Sequence, residues 1–207
     1  MKLRYQEING RHKNQDIYIL GSGPSLTGFD LSKLNDKIVI AVNHSIEFYP
    51  QAQYLLFGDA IFLKKTSLDF KSYNGVVITP DRNHDAEKLN AISKDRKFFF
   101  ETRRDQVYNN AKKGLFHPCS SGIMALNLAI QFRASRIFLL GFDYFYKDNI
   151  THFFGNIYPH HLEYKETKIL KKTLKFISFN QWRHIILNCS PESNVSDFKK
   201  ISLDEIQ

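Results

Sequence analysis

Ile17-Tyr18-Ile19-Leu20-Gly21-Ser22-Gly23-Pro24-Ser25-Leu26 is the stretch that decides the class of this chain. Four apolar residues run into a Gly-Ser-Gly-Pro-Ser turn, and a helix-start signal follows. A first β-strand that delivers its backbone to a phosphate or nucleotide reads this way. Gly21 and Gly23 permit backbone angles and close approaches that a Cβ would forbid. Pro24 suits a first helical position, and Ser22 or Ser25 can cap exposed amides. The N–H groups left over at such a helix start favour an anion. The turn lacks the third glycine of a dinucleotide fingerprint and the Lys-Ser/Thr of a P-loop. A plain strand-to-helix turn therefore stays open beside the nucleotide-binding one.

Outward from this segment the pattern repeats. Apolar, β-branched or aromatic runs fall at 17–20, 38–42, 54–57, 76–79, 97–100, 136–140 and 184–188. They are short and continuous, as strands buried on both faces are. The clearest helix spans 120–133, with Ser120 or Ser121 as its cap, and it leads directly into the strand at 136–140. A second helix is predicted over 162–179. Strand, helix and strand in alternation predict an α/β fold with a Rossmann-like, mainly parallel sheet and helices on both faces. Residues 1–207 read as one domain. The stretch 142–161 is long for a connection and rich in Tyr, Phe, His and Asn, which favours a lid.

Bulk properties narrow the classes. The 207 residues are 43% hydrophobic, enough for an ordinary core, and the net charge is +8. Cys119 and Cys189 are too few for a disulfide framework. The polar start of the chain has no signal-peptide core, and no apolar run is long enough to span a membrane. These features predict a cytoplasmic location. Lys165, Lys168, Lys171, Lys172 and Lys175 fit one face of the second helix, with Ile169, Leu170, Leu174 and Ile177 on the other. That basic face is either a solvated surface or a contact for nucleic acid or an anionic membrane, the inner membrane face included.

Ligands in an open parallel sheet bind beyond the carboxyl ends of its strands. Gly21–Ser25, Asn43, Asp59, and Gly141, Phe142, Asp143 and Tyr144 fall there, each following a predicted strand. Ser120, Ser121 and Gly122 add a helix N-terminus that offers hydroxyls and amides to an anion. Each group is also ordinary turn chemistry when taken alone. Their convergence on one sheet edge is what favours a site. Metal-ligand patterns are weak, because no H-E-x-x-H occurs and His160 and His161 are adjacent. His152, His160 and His161 lie in the lid segment as candidate general bases. Tyr144, Tyr146 and Tyr158 could donate hydrogen bonds to a departing phosphate.

Gly21-Ser22-Gly23-Pro24-Ser25-Leu26 resembles the G-N-G-P-S-L opening of the bacterial CMP-sialic-acid-dependent sialyltransferases, glycosyltransferase family 42. Ser120-Ser121-Gly122-Ile123-Met124-Ala125 and Arg136-Ile137-Phe138-Leu139-Leu140-Gly141-Phe142-Asp143-Tyr144 are similar to two later blocks of that family. Proteins resembling motility accessory factors and archaeal 6-hydroxymethylpterin diphosphokinases share these blocks. Leu187-Asn188-Cys189-Ser190-Pro191-Glu192-Ser193 is like the ending common to the group. The resemblance implies a GT-A-like variant of the fold and a metal-independent transferase with no cofactor beyond its CMP-sugar donor. It implies donor contacts at Ser22, Gly23, Asn43, Asp59, Ser121 and Gly122. The family's phosphate-holding tyrosine falls at Phe145, with Tyr144 and Tyr146 beside it. The place of its catalytic histidine falls at His161, with His160 next to it. Asn is replaced by Ser22 and by Asp59, and an arginine by Pro118, which puts the donor's identity in question.

The expected partners are a nucleotide-sugar donor and a glycan or other hydroxyl acceptor, with a second copy of the chain as a further candidate. Two other classes are to be weighed. One is a diphosphokinase using ATP and Mg²⁺, with Asp59 and Asp143 as metal ligands. The other is a nucleotide- or nucleic-acid-binding module.

Overall fold

The computed structural model describes residues 5–83, 85–118, 120–145, 150–155 and 175–206. His160, His161, Tyr146, Tyr158, Cys119 and the greater part of the basic helix lie outside these residues.

The core is an eight-stranded, wholly parallel sheet. It comprises β1 (Ile17–Leu20), β2 (Ile38–Val42), β3 (Tyr54–Leu56), β4 (Val76–Pro80), β5 (Lys97–Phe100), β8 (Ile137–Leu140), β9 (Ile186–Asn188) and β10 (Lys199–Lys200). Their spatial order is β10-β9-β8-β1-β2-β3-β4-β5. β6 (Thr102–Arg103) and β7 (Leu115–Phe116) form a separate parallel pair. The helices are α1 (Tyr5–Ile8), α2 (Ala60–Lys65) and α3 (Ser121–Gln131), with short 3₁₀ turns between. All seven expected strands are present. β6, β7 and β10, at two residues each, are too short to leave an apolar run in the sequence.

Both faces of the sheet are buried, which is why its strands read as unbroken apolar runs. Ile17 and Ile19 of β1 join one core cluster with α3, while Tyr18 and Leu20 join the other with Phe62 and Leu63 of α2. From β1 the chain steps outward to β5, then returns to the opposite side of β1 as β8. The strand order thus reverses between β1 and β8, and the loops that leave their carboxyl ends part there. Such a switch point is where open α/β sheets bind ligands.

The helix expected to run through 179 is corrected at its described end. From Lys175 to Ile185 the chain is 3₁₀-helical. Phe176, Phe179, Trp182 and Ile185 recur every three residues and pack on the α3-side core, which suits three residues per turn rather than 3.6. Ile177, assigned to the apolar face at α-helical spacing, is instead 49% exposed.

Two amides on α3 tie the 101–116 arm to the sheet. Asn127 is fully buried, accepts from Phe116 N–H at 2.8 Å and donates to the Tyr108 carbonyl. Gln131 donates to the Gly114 carbonyl at 2.8 Å. Asn127→Ala leaves the Phe116 N–H without its partner and the Tyr108 carbonyl with only the 3.5 Å contact of Gln131 Nε2, and is expected to cost about 1–3 kcal/mol. Urea unfolding of the variant would measure the loss.

Candidate active site

The loops after β1 and β8 are locked together. Gly21 N–H donates to the Leu140 carbonyl at 2.8 Å, and Gly23 N–H to the Gly141 carbonyl at 2.9 Å. A Cβ on Gly21 would lie 2.7 Å from the Gly141 oxygen, and one on Gly23 would lie 2.5 Å from the Asp143 carboxylate. Gly23 has φ −64° and ψ 155°, an ordinary extended conformation. The glycines are therefore required by the closeness of two protein loops, not by unusual backbone angles. Pro24 opens a 3₁₀ turn, Pro24–Leu26, with Gly23 at its N-cap.

Ser25 does not cap that turn. Its N–H and its hydroxyl both donate to Asp143, each at 2.6 Å, and the Ser190 hydroxyl lies 2.9 Å from the Ser25 oxygen. Because the Ser25 proton goes to Asp143, Ser190 is the donor to Ser25. The loop after β9 grips the β8 loop in turn. Ser193 Oγ donates to the Phe142 carbonyl at 2.6 Å, Asn194 N–H to the Asp143 carbonyl at 2.9 Å, and Asn194 Nδ2 to the Tyr144 carbonyl at 3.0 Å. Three successive carbonyls are thus held, and they fix Tyr144 at φ +54°, a left-handed value that a bulky residue rarely adopts.

Asn43, directly after β2, also takes a left-handed value, φ +53°. Its side-chain Oδ1 is buried without a hydrogen-bond partner. Ser45, two residues on, holds this turn against β1. Its Oγ accepts from Val42 N–H at 2.9 Å and lies 2.7 Å from the Leu20 carbonyl. A buried acceptor left open costs about 1–3 kcal/mol unless a ligand satisfies it.

The head of α3 forms the facing wall. Ser120 stands at the N-cap, but its hydroxyl pairs with the Tyr144 hydroxyl at 3.1 Å rather than with a helix amide. The first bond within the helix runs from Met124 N–H to the Ser120 carbonyl, so the amides of Ser121 to Ile123 precede its own ladder. Ser121 Oγ accepts from Gly58 N–H at 2.9 Å. Gly122 packs on Phe142, whose ring would lie 2.9 Å from any added Cβ. Burial pushes the Tyr144 phenol up to about 12, with the Ser120 contact opposing, so it remains a hydrogen-bond donor at neutral pH.

Gly58, after β3, joins this wall to groups that the sequence reading passed over. A Cβ there would lie 2.7 Å from His117 Nε2 and 2.8 Å from Ser121 Oγ. Arg82 donates to the Gly58 carbonyl at 2.6 Å and reaches the exposed Asp59 carboxylate at 3.4 Å. His117 is 6% exposed. Burial, then Arg82, lower its pKa; Asp59 opposes and Arg104 adds to the lowering. Its place directly before Pro118 and the Ser120-Ser121-Gly122 helix start was the available signal.

The expected residues Gly21 to Ser25, Asn43, Asp59, Ser120 to Gly122 and Gly141 to Tyr144 therefore gather at one edge of the sheet. Asp143 is nearly fully buried, and both its oxygens face Ser25. Among the described residues no three His, Cys, Asp or Glu side chains gather to hold a metal ion. His152 stacks on Phe154, and its Nδ1 lies 2.7 Å from Thr151 Oγ1.

Gly23→Ala overpacks against Asp143 and is expected to destabilise by about 1–3 kcal/mol or more. Gly28→Ala meets nothing within 4 Å, so only its φ of +79° resists the change, at about 1–2 kcal/mol. Thermal denaturation would rank the two. His117 and His12 both have lowered pKa values, each chiefly through burial. Their folded forms resist protonation, so the unfolded chain binds more protons as pH falls through 6.5, and stability declines there. His117→Gln is expected to flatten part of that decline, measured as urea midpoints between neutral pH and about pH 5.

No protein-family model matches the chain, and no curated protein matches it. Solved structures do. A MAf glycosyltransferase from Magnetospirillum magneticum AMB-1 superposes with a TM-score of 0.66 at 12% identity over 97% of this chain, which spans 36% of that protein's length. The sialyltransferase CstII from Campylobacter jejuni, solved with the substrate analogue cytidine-5'-monophosphate, superposes with a TM-score of 0.56 at 19% identity. That likeness covers 92% of this chain and 86% of CstII. No helix among the described residues is long and apolar enough to cross a membrane. This chain has the fold shared by these two glycosyltransferases.

Proposed function

We propose that the chain is a glycosyltransferase that moves a sugar, sialic-acid-like, from a CMP-activated donor to an acceptor hydroxyl. The observation that carries this reading is the buried, unpartnered Oδ1 of Asn43, set at the carboxyl edge of the sheet near the strand-order reversal. A small rotation of the Asn43 side chain would bring that acceptor to a donor such as a ribose hydroxyl or a base amino group, and the hydrogen bond gained would offset the cost of leaving it open. Across the edge, the amides opening α3 suit the phosphate. The CMP bound to the structural neighbour CstII supports the choice of nucleotide.

In this reading an acceptor oxygen attacks the anomeric carbon of the donor sugar as the bond from that carbon to the CMP phosphate oxygen breaks. His161, with His160 beside it, removes the acceptor proton. The electron pair of the broken bond leaves on CMP. Hydroxyls of Tyr144, Tyr146 and Tyr158 and the α3 amides stabilise the phosphate as its charge grows, without a metal. The 142–161 segment excludes water from the donor.

The test is a thermal-shift panel of CMP, UDP, GDP, ADP, ATP and CMP-sialic acid, each with Mg²⁺ and with EDTA. Stabilisation by the cytidine nucleotides in EDTA is expected, and a response to ATP with Mg²⁺ alone overturns the reading. Asn43→Ala is expected to weaken CMP binding by about 5- to 100-fold, the equivalent of one lost buried hydrogen bond. His161→Ala is expected to lower turnover of CMP-sialic acid by about 100-fold or more with little change in donor affinity.

A further inference from the structure

The Asn43 side of the sheet edge carries a group of stacked rings to which the proposed chemistry gives no individual role. Phe48 ends the 3₁₀ turn that begins at Asn43, and it is 45% exposed although it is a large apolar side chain. Its ring is parallel to that of Phe154, at 4.7 Å between centroids and 5° between planes. Phe154 is in turn nearly parallel to His152, at 5.2 Å and 14°. Phe153 braces the pair edge-on, at 5.1 Å from Phe48 and 4.8 Å from Phe154. It packs against the α2-side core, and its N–H donates to the Ser22 carbonyl at 3.0 Å.

Three near-parallel rings therefore form a column beside the β1 loop, and Phe48 is its exposed member. The column is on the α2 side of the sheet edge, whereas the head of α3 is on the other. Asn43 stands between the two walls. These positions have unlike preferences. Helix-opening amides attract a phosphate, and stacked aromatic rings attract another planar ring. A nucleoside monophosphate carries a phosphate at one end and a planar base at the other.

We propose that Phe48, backed by Phe154, is the stacking platform for the base of the bound nucleotide, which fixes the direction in which the donor lies across the sheet edge. This inference rests on the nucleotide-sugar reading above. The base continues the column, Asn43 meets the nucleoside between the walls, and the phosphate reaches the head of α3. Phe153 couples the platform to Ser22, so the β1 loop and the rings keep one spacing.

Calorimetric titration of CMP and of ribose 5-phosphate, which lacks the base, into the full chain tests the platform. Phe48→Ala, checked for native melting, is expected to weaken CMP binding by about 5- to 100-fold and to leave ribose 5-phosphate binding unchanged. Phe48→Trp keeps a ring, so its reading does not depend on the alanine variant folding. Its fluorescence is expected to be quenched by CMP and not by ribose 5-phosphate. Phe48→Ala binding CMP as tightly as the native chain, or an unquenched Phe48→Trp at saturating CMP, overturns the platform alone. Equal affinity of the native chain for CMP and ribose 5-phosphate does the same, while leaving a phosphate site standing. A native chain that binds neither overturns the nucleotide reading and the platform together.

Discussion

The whole sheet edge depends on the clasp between Ser25 and Asp143. One carboxylate receives an N–H and a hydroxyl from a residue 118 positions earlier in the chain. Being nearly fully buried, it would be costly to leave unpaired, and it is stable because Ser25 meets both oxygens. The clasp draws the β1 loop onto the β8 loop, which fixes Gly21 and Gly23 against Gly141. Ser190 then ties in the loop after β9. The three strands at the point where the strand order reverses thus share one hydrogen-bond network, which forms the floor of the sheet edge.

From that floor the two walls rise with opposite chemistry. The α3 side is polar: Ser121 holds Gly58, Ser120 meets Tyr144, and His117 and Arg82 complete the group around Gly58. The α2 side is aromatic, with Phe48 on the turn after β2 and Phe153 and Phe154, of residues 150–155, packed against it. Side chains on rigid elements keep their geometry better than side chains on loops alone. Here the loops gain that rigidity because three successive carbonyls of residues 142–144 are gripped by Ser193 and Asn194.

Much of this was legible in the sequence. Two-faced burial leaves unbroken apolar runs, so Ile17–Leu20 and Ile137–Leu140 announced themselves as central strands. The carboxyl-edge rule then gathered Asn43, Asp59, Ser121 and Gly141 without coordinates. That Gly21 and Gly23 serve a close approach was legible; what approaches was not, because the need for no Cβ at Gly23 comes from Asp143, which is distant in sequence. His117 carried one cue, its place just before Pro118 and the helix start, but its packing against Gly58 joins residues distant in sequence. The segment from Lys175 was misread as an α-helix because a few apolar residues fit 3.6 and 3.0 spacings almost equally well. Phe176, Phe179, Trp182 and Ile185 decide the matter by packing on the core.

Gly21 and Gly23 also divide the β1 loop into fixed and variable letters. Gly21 and Gly23 face Leu140, Gly141 and Asp143 at distances that leave no room for a Cβ, and Ser25 is bound to Asp143 through its N–H and its hydroxyl. Ser22 is different. Its carbonyl anchors Phe153, and among the described residues no partner holds its hydroxyl. Change at position 22 can therefore alter what the loop presents to a ligand while the scaffold stays intact. Variation there changes the surface of the loop and not the hydrogen bonds that hold the edge together, which makes position 22 the natural outlet for change within residues 21–25.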